Sequence, residues 1–214
     1  MDQHGYAKPL RERHQLILID ARGHGQSDKP HAREAHTLPL RVGDVTAVLD
    51  ALELPQVDFF GYSMGGWIGF GMAAYAPERL RSLIIGGAHP FADPVIAGVG
   101  AAEAVDDDAF VRAMERVLGE AISAETRHFL LRNDRRAVLA SLQERVALDH
   151  VVPRIDAPCL LFAGSADRRH ALVQSAASQI RNAAFLSIAG KGHLGALASV
   201  DQVLPAVTDF LAAR

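Results

Sequence analysis

The residues best suited to chemistry are a serine, an aspartate and a histidine spread across the chain. Ser63 lies in Gly61-Tyr62-Ser63-Met64-Gly65, a G-x-S-x-G pattern. A hydroxyl held on a turn this sharp needs neighbours without side chains, which is the steric reason for the flanking glycines. A serine alone is a poor nucleophile and needs a base that is itself oriented by an acid. Asp167, in Gly164-Ser165-Ala166-Asp167, and His193, in Gly190-Lys191-Gly192-His193, supply the two, 104 and then 26 residues on. The implied chemistry is nucleophilic attack on a carbonyl. Developing negative charge would be favoured by the dipole and the free N–H groups at the start of the helix that follows.

Rivals exist for both partners. Among 10 histidines, His89 follows a strand but precedes every acid after it, and His170 stands three residues from Asp167, where it starts a helix. Asp93 follows the same strand as His89 and is the rival acid. Asp149 and Asp156 read as solvated loop charges.

Gln15–Asp20 is an unbroken apolar run closed by an acid and reads as a strand buried on both faces. A Gly/Pro-rich loop is predicted from Ala21 to about Pro39. A helix follows, with Val45, Val48, Leu49 and Leu52 on one face, ending near Leu54-Pro55. Val57–Tyr62 is a strand, Met64 to about Ala76 a helix stopped by Pro77, and Leu83–Ile85 a strand. This alternation predicts an α/β fold with a parallel sheet. From about Asp106 to Leu148 only helices are read. One carries Phe110, Val111, Met114, Val117 and Leu118; another carries Val138, Leu139, Leu142 and Val146, with Asp134 as its N-cap. Strands return at Cys159–Gly164 and Ala184–Ile188, and a final helix covers Val200–Ala212. The predicted division is a core of 1–88 and 153–214 with a helical insertion at 89–152.

Composition narrows the function classes. The chain has 214 residues, 49% hydrophobic and 22% charged, with a net charge of −3. That is the profile of a folded domain rather than a disordered chain. The charge gives no reason to expect nucleic acid or an anionic membrane as partner. The lone cysteine, Cys159, cannot form an intrachain disulfide. With no apolar run long enough for a bilayer and no basic-then-apolar start, a cytoplasmic location is expected. No Cys/His cluster has metal spacing and no Gly-rich phosphate loop follows a strand, so neither metal nor cofactor is expected.

Asp20-Ala21-Arg22-Gly23-His24-Gly25-Gln26-Ser27-Asp28 resembles the D-x-R-G-H-G-x-S signature of α/β-hydrolase-fold enzymes, and Gly61–Gly66 follows at the family's spacing. The resemblance runs from about Gln15 to Arg214. It implies an α/β-hydrolase fold with helices on both sheet faces and a helical cap over the site. It further implies Ser63 as nucleophile, His193 as general base, Asp167 as orienting acid, Met64 as oxyanion donor and a structural role for His24. The expected substrate is a small-molecule ester, lactone or related acyl compound; C–C hydrolases and cofactor-free haloperoxidases share the pattern. The family also has earlier strands and a His-Gly loop that supplies a second oxyanion donor. Only 14 residues precede Gln15 here, and Met1–Arg13 reads as a connecting helix with Tyr6, Ala7 and Leu10 on its apolar face. The expectation is therefore an N-terminally shortened core. Three readings follow: a hydrolase, a weakened or inactive binding module, or a piece of a longer enzyme. If the chain is short by nature and not a piece of a longer enzyme, a homo-oligomer in which a partner subunit lends a strand is compatible with it. For the apolar insertion residues Phe91, Phe110, Met114, Phe129 and Leu130, and for Trp67, packing is preferred over pocket lining.

Overall fold

A computed structural model describes residues 5–99, 106–142 and 146–213. Four parallel strands form one sheet in the order β1-β2-β3-β4: β1 Val57–Tyr62, β2 Leu80–Gly86, β3 Cys159–Gly164 and β4 Ala183–Ile188. The register sets Tyr62 against Gly86, Gly86 against Phe162, and Phe162 against Leu186. The strands therefore end level, and the loops that leave them gather at one edge.

Alternation along the strands feeds two cores. Leu83, Ile85, Cys159, Leu161 and Ala163 enter one, together with α2 (Leu38–Ala51), α3 (Met64–Tyr75) and α8 (His170–Gln179). Ile84, Leu160 and Phe162 enter the other, with α1 (Ala7–Leu10), α9 (His193–Ala198) and α10 (Val200–Ala212). Helices thus cover both faces, as buried parallel strands require. The segment between β2 and β3 carries α4 (Pro94–Ala97), α5 (Asp107–Leu118), α6 (Ala124–Leu131) and α7 (Arg135–Ser141). These pack a third cluster of their own around Ile96, Phe110, Met114, Val117 and Leu139. Phe110 and Met114 are packed there, as expected, whereas Phe129 is 48% exposed.

Several sequence expectations need correction. Gln15–Asp20 is not a strand. Leu16 packs on the second core and Ile17 on the first, but Leu18 and Ile19 are 58% and 40% exposed. An apolar run becomes a strand only where a neighbour completes its ladder. Among the described residues no backbone bond joins this segment to β1. The predicted helix over Met1–Arg13 is only α1; residues 1–4 lie outside the described residues, and Tyr6, Ala7 and Leu10 are buried as expected. Helix α2 starts at Leu38, with Pro39 in its first turn where proline is tolerated. Its buried stripe is Leu38, Arg41, Val42, Val45 and Leu49, so Leu52 lies outside it. The helix capped by Asp134 ends at Ser141; 143–145 lie outside the described residues and Val146 is exposed.

Candidate active site

The turn after β1 places Ser63 at φ 53° and ψ −112°, in the strained left-handed region. The turn is possible because Gly61 has no side chain: a Cβ there would lie 2.2 Å from the Gly65 carbonyl oxygen. Gly66 lets α3 pack on β2 and the turn after it, since a Cβ there would meet Ile85 Cγ2 at 3.0 Å and the Cβ of Ala88 at 2.8 Å. Met64 is the first residue of α3, so its N–H has no acceptor within the helix.

Three loops bring the predicted residues together. The Ser63 hydroxyl donates to His193 Nε2 at 2.9 Å, and His193 Nδ1–H donates to Asp167 Oδ2 at 2.6 Å. The second bond fixes the tautomer that leaves Nε2 as acceptor. Asp167 Oδ1 accepts the Arg169 N–H at 2.9 Å. Tyr62 Oη donates to the His193 carbonyl at 2.5 Å, and Glu120 accepts the Leu194 N–H at 2.5 Å, so the histidine loop is held from both sides.

Electrostatics follow from burial. His193 is 1% exposed, and loss of solvent pushes its imidazole below the usual value, against the opposing pull of Asp167. Burial pushes the Asp167 carboxyl up. The His193 hydrogen bond and charge, the Arg169 N–H and the Arg169 guanidinium outweigh it and hold the acid below its ordinary range. The resting pair is a neutral imidazole beside a carboxylate.

The rivals make other contacts. Asp93 is buried beneath two arginines: Arg168 bonds both its oxygens at 3.3 and 2.9 Å, and Arg169 Nε lies 3.7 Å away. It also caps α4 through the Val95 and Ile96 N–H groups. Both arginines reach the end of α5, donating to the Val117 carbonyl. The Arg168-Arg169 pair directly after the acid was the sequence signal for this network. His170 begins α8 and bonds Ser187 Oγ at 2.8 Å. His89 is buried against Phe91, their rings 5.9 Å apart. Asp149 and Asp156 are exposed. In the Asp20–Asp28 turn, Arg22 pairs with Asp44 at 2.5 and 2.6 Å, Gly23 and Gly25 take positive φ, and His24 Nδ1 lies 3.4 Å from the Arg22 carbonyl. Trp67 is 4% exposed within the first core. Among the described residues no group of three or more His, Cys, Asp or Glu could hold a metal, and no helix is long and apolar enough to cross a membrane.

Comparison with known proteins agrees with this architecture. A family model described as alpha/beta hydrolase fold matches residues 2–107. A pimeloyl-[acyl-carrier protein] methyl ester esterase of Xanthomonas oryzae pv. oryzae is 31% identical over 239 aligned residues, covering 97% of this chain and 90% of that protein. The chain belongs to the α/β-hydrolase fold family. A more local match, 38% identical over 80 residues, is to 3-oxoadipate enol-lactonase 2 of Acinetobacter baylyi; it covers 36% of this α/β hydrolase and 28% of the relative. The crystal structure of the enol-lactonase from Burkholderia xenovorans LB400 superposes with a TM-score of 0.73 at 22% identity, over 90% of this chain and 78% of that one. At that identity the likeness speaks for the fold.

Proposed function

We propose that this α/β hydrolase cleaves an ester or related acyl bond of a small molecule through Ser63, His193 and Asp167. The observation that carries the reading is the unbroken hydrogen-bond chain from the Ser63 hydroxyl through both imidazole nitrogens to a buried carboxylate. Ser63 Oγ attacks the substrate carbonyl while His193 Nε2 takes the hydroxyl proton. Asp167 stays ionised and stabilises the imidazolium. The carbonyl oxygen becomes an oxyanion facing the free N–H of Met64. Collapse expels the alcohol, which receives the proton from His193, and leaves an acyl group on Ser63. A water molecule, deprotonated by the same imidazole, attacks the acyl carbon and returns the serine. The relatives are named as a pimeloyl-[acyl-carrier protein] methyl ester esterase and an enol-lactonase, which supports ester and lactone chemistry.

In this reading 89–152 is the cap over the site, carried on a core of 1–88 and 153–214. The fixed register of the strands supports the core assignment, and the separate third cluster supports the cap. Ser63→Ala tests the role of the nucleophile. Turnover of short-chain 4-nitrophenyl esters is expected to fall at least about 10³-fold with the fold unchanged by circular dichroism. Ligand binding without turnover in the unmodified protein would make the chain a binding module instead.

A further inference from the structure

Arg41 is a cation placed where a helix normally buries an apolar side chain. It stands on the buried stripe of α2, and 1% of it is exposed. Nε donates to the His36 carbonyl at 2.8 Å and Nη2 to the Ser141 carbonyl at 2.8 Å. Nη1 donates to the Met64 sulfur at 3.0 Å, and Cζ lies 6.0 Å from the centre of the Trp67 ring. No carboxylate among the described residues pairs with it. The nearby Asp44 is engaged by Arg22 in a two-pronged bond. Its two histidine neighbours do not supply a negative charge either. Burial pushes the imidazoles of His24 and His36 below their ordinary value, so both are neutral at pH 7.

Burying a cation is costly without an anion. Burial brings the Arg41 guanidinium down to about 10, which leaves it charged at neutral pH. The two carbonyl bonds explain a strut between α2, the turn before it and the end of α7. They do not explain the third contact. A thioether is a weak acceptor, whereas a guanidinium matches a carboxylate with two parallel N–H bonds. Met64 is only half-buried, its flexible side chain touches this charge, and it is the residue that follows the candidate nucleophile.

We propose that Arg41 recognises a carboxylate carried by the substrate, with the Met64 thioether as the occupant that the carboxylate displaces. This rests on the hydrolase reading and deepens it: the substrate class becomes acyl compounds bearing a second, ionised carboxyl group.

The test compares 4-nitrophenyl pentanoate with mono-4-nitrophenyl glutarate. The unmodified protein is expected to favour the glutarate monoester at least tenfold in kcat/KM, chiefly through KM. Arg41→Met is expected to reduce that ratio at least tenfold, with Arg41→Lys in between. In a second measurement glutarate raises the melting temperature of the Ser63→Ala protein, inorganic phosphate at the same concentration does not, and adding Arg41→Met removes the rise. No preference between the esters, a ratio unaltered by Arg41→Met, or a larger shift from phosphate than from glutarate would overturn the proposal. If Arg41→Met does not fold, Arg41→Lys and the glutarate shift of Ser63→Ala decide. The two readings fail separately. Glutarate binding that depends on Arg41, without turnover of either ester, would sink the hydrolase and keep the carboxylate site. Turnover of both esters alike would do the reverse.

Discussion

In the proposed reaction His193 is the residue on which the chemistry turns, because it touches both Ser63 and Asp167 and is shielded from water. Solvent loss lowers its pKa from the usual 6.5, and the carboxylate of Asp167 only partly offsets this. The base must be neutral to accept the Ser63 proton. Activity is therefore expected to fall with decreasing pH along a limb centred below 6.5, read from the pH dependence of kcat/KM for a neutral ester. The sign for stability is the same. An unfolded chain takes up the histidine proton near 6.5 while the buried imidazole resists it, so folding weakens as pH falls through that value. A limb centred at or above 6.5 would contradict the burial argument. The meeting of Ser63, Asp167 and His193 was legible in the sequence because each follows an apolar strand in a turn with small residues. Arg41 was not, because an arginine on a helix is by default assigned to solvent.

At the scale of elements, the loops after β1, β3 and β4 converge because those strands end in register. Asp93 shows what the sequence alone leaves open. It follows β2 and lies close to the site, yet Arg168 and Arg169 claim its carboxylate and tie it to the end of α5. Asp93 and Asp167 are thus set apart by their neighbours, Asp93 bonding Arg168 and Asp167 bonding His193, and not by loop position. Asp93→Ala strands buried positive charge and uncaps α4. It is expected to destabilise the fold by about 3–5 kcal/mol, measured as a shift in urea midpoint. A loss under about 1 kcal/mol would show that the arginines find other partners.

Across the whole molecule, two apolar runs of similar composition have different fates. Cys159–Gly164 is buried throughout as an inner strand, whereas Gln15–Asp20 is unladdered and half open to solvent. Local pattern cannot separate them, because a strand is made by its neighbours. Leu161→Ala is expected to cost about 2–5 kcal/mol. Leu18→Ser, at a side chain 58% exposed, is expected to change stability by no more than about 0.5 kcal/mol in the same denaturation experiment. Comparable losses at the two sites would mean that Leu18 is covered. The same dependence on neighbours explains why the helical cluster of α4–α7 was legible as helices but not in its boundaries. The Asp134 cap fixes one end, while nothing in the pattern signalled the stop at Ser141.

The central claim is that the hydroxyl of Ser63, activated by His193 and Asp167, is a working nucleophile. A fluorophosphonate probe reports on that directly, because it phosphonylates a serine only when the base and acid are engaged. Mass spectrometry of the digested protein is expected to place one adduct on Ser63, absent from the Asp167→Asn and heat-denatured samples. Folded protein that leaves Ser63 unlabelled, or labels as readily without Asp167, would contradict the account.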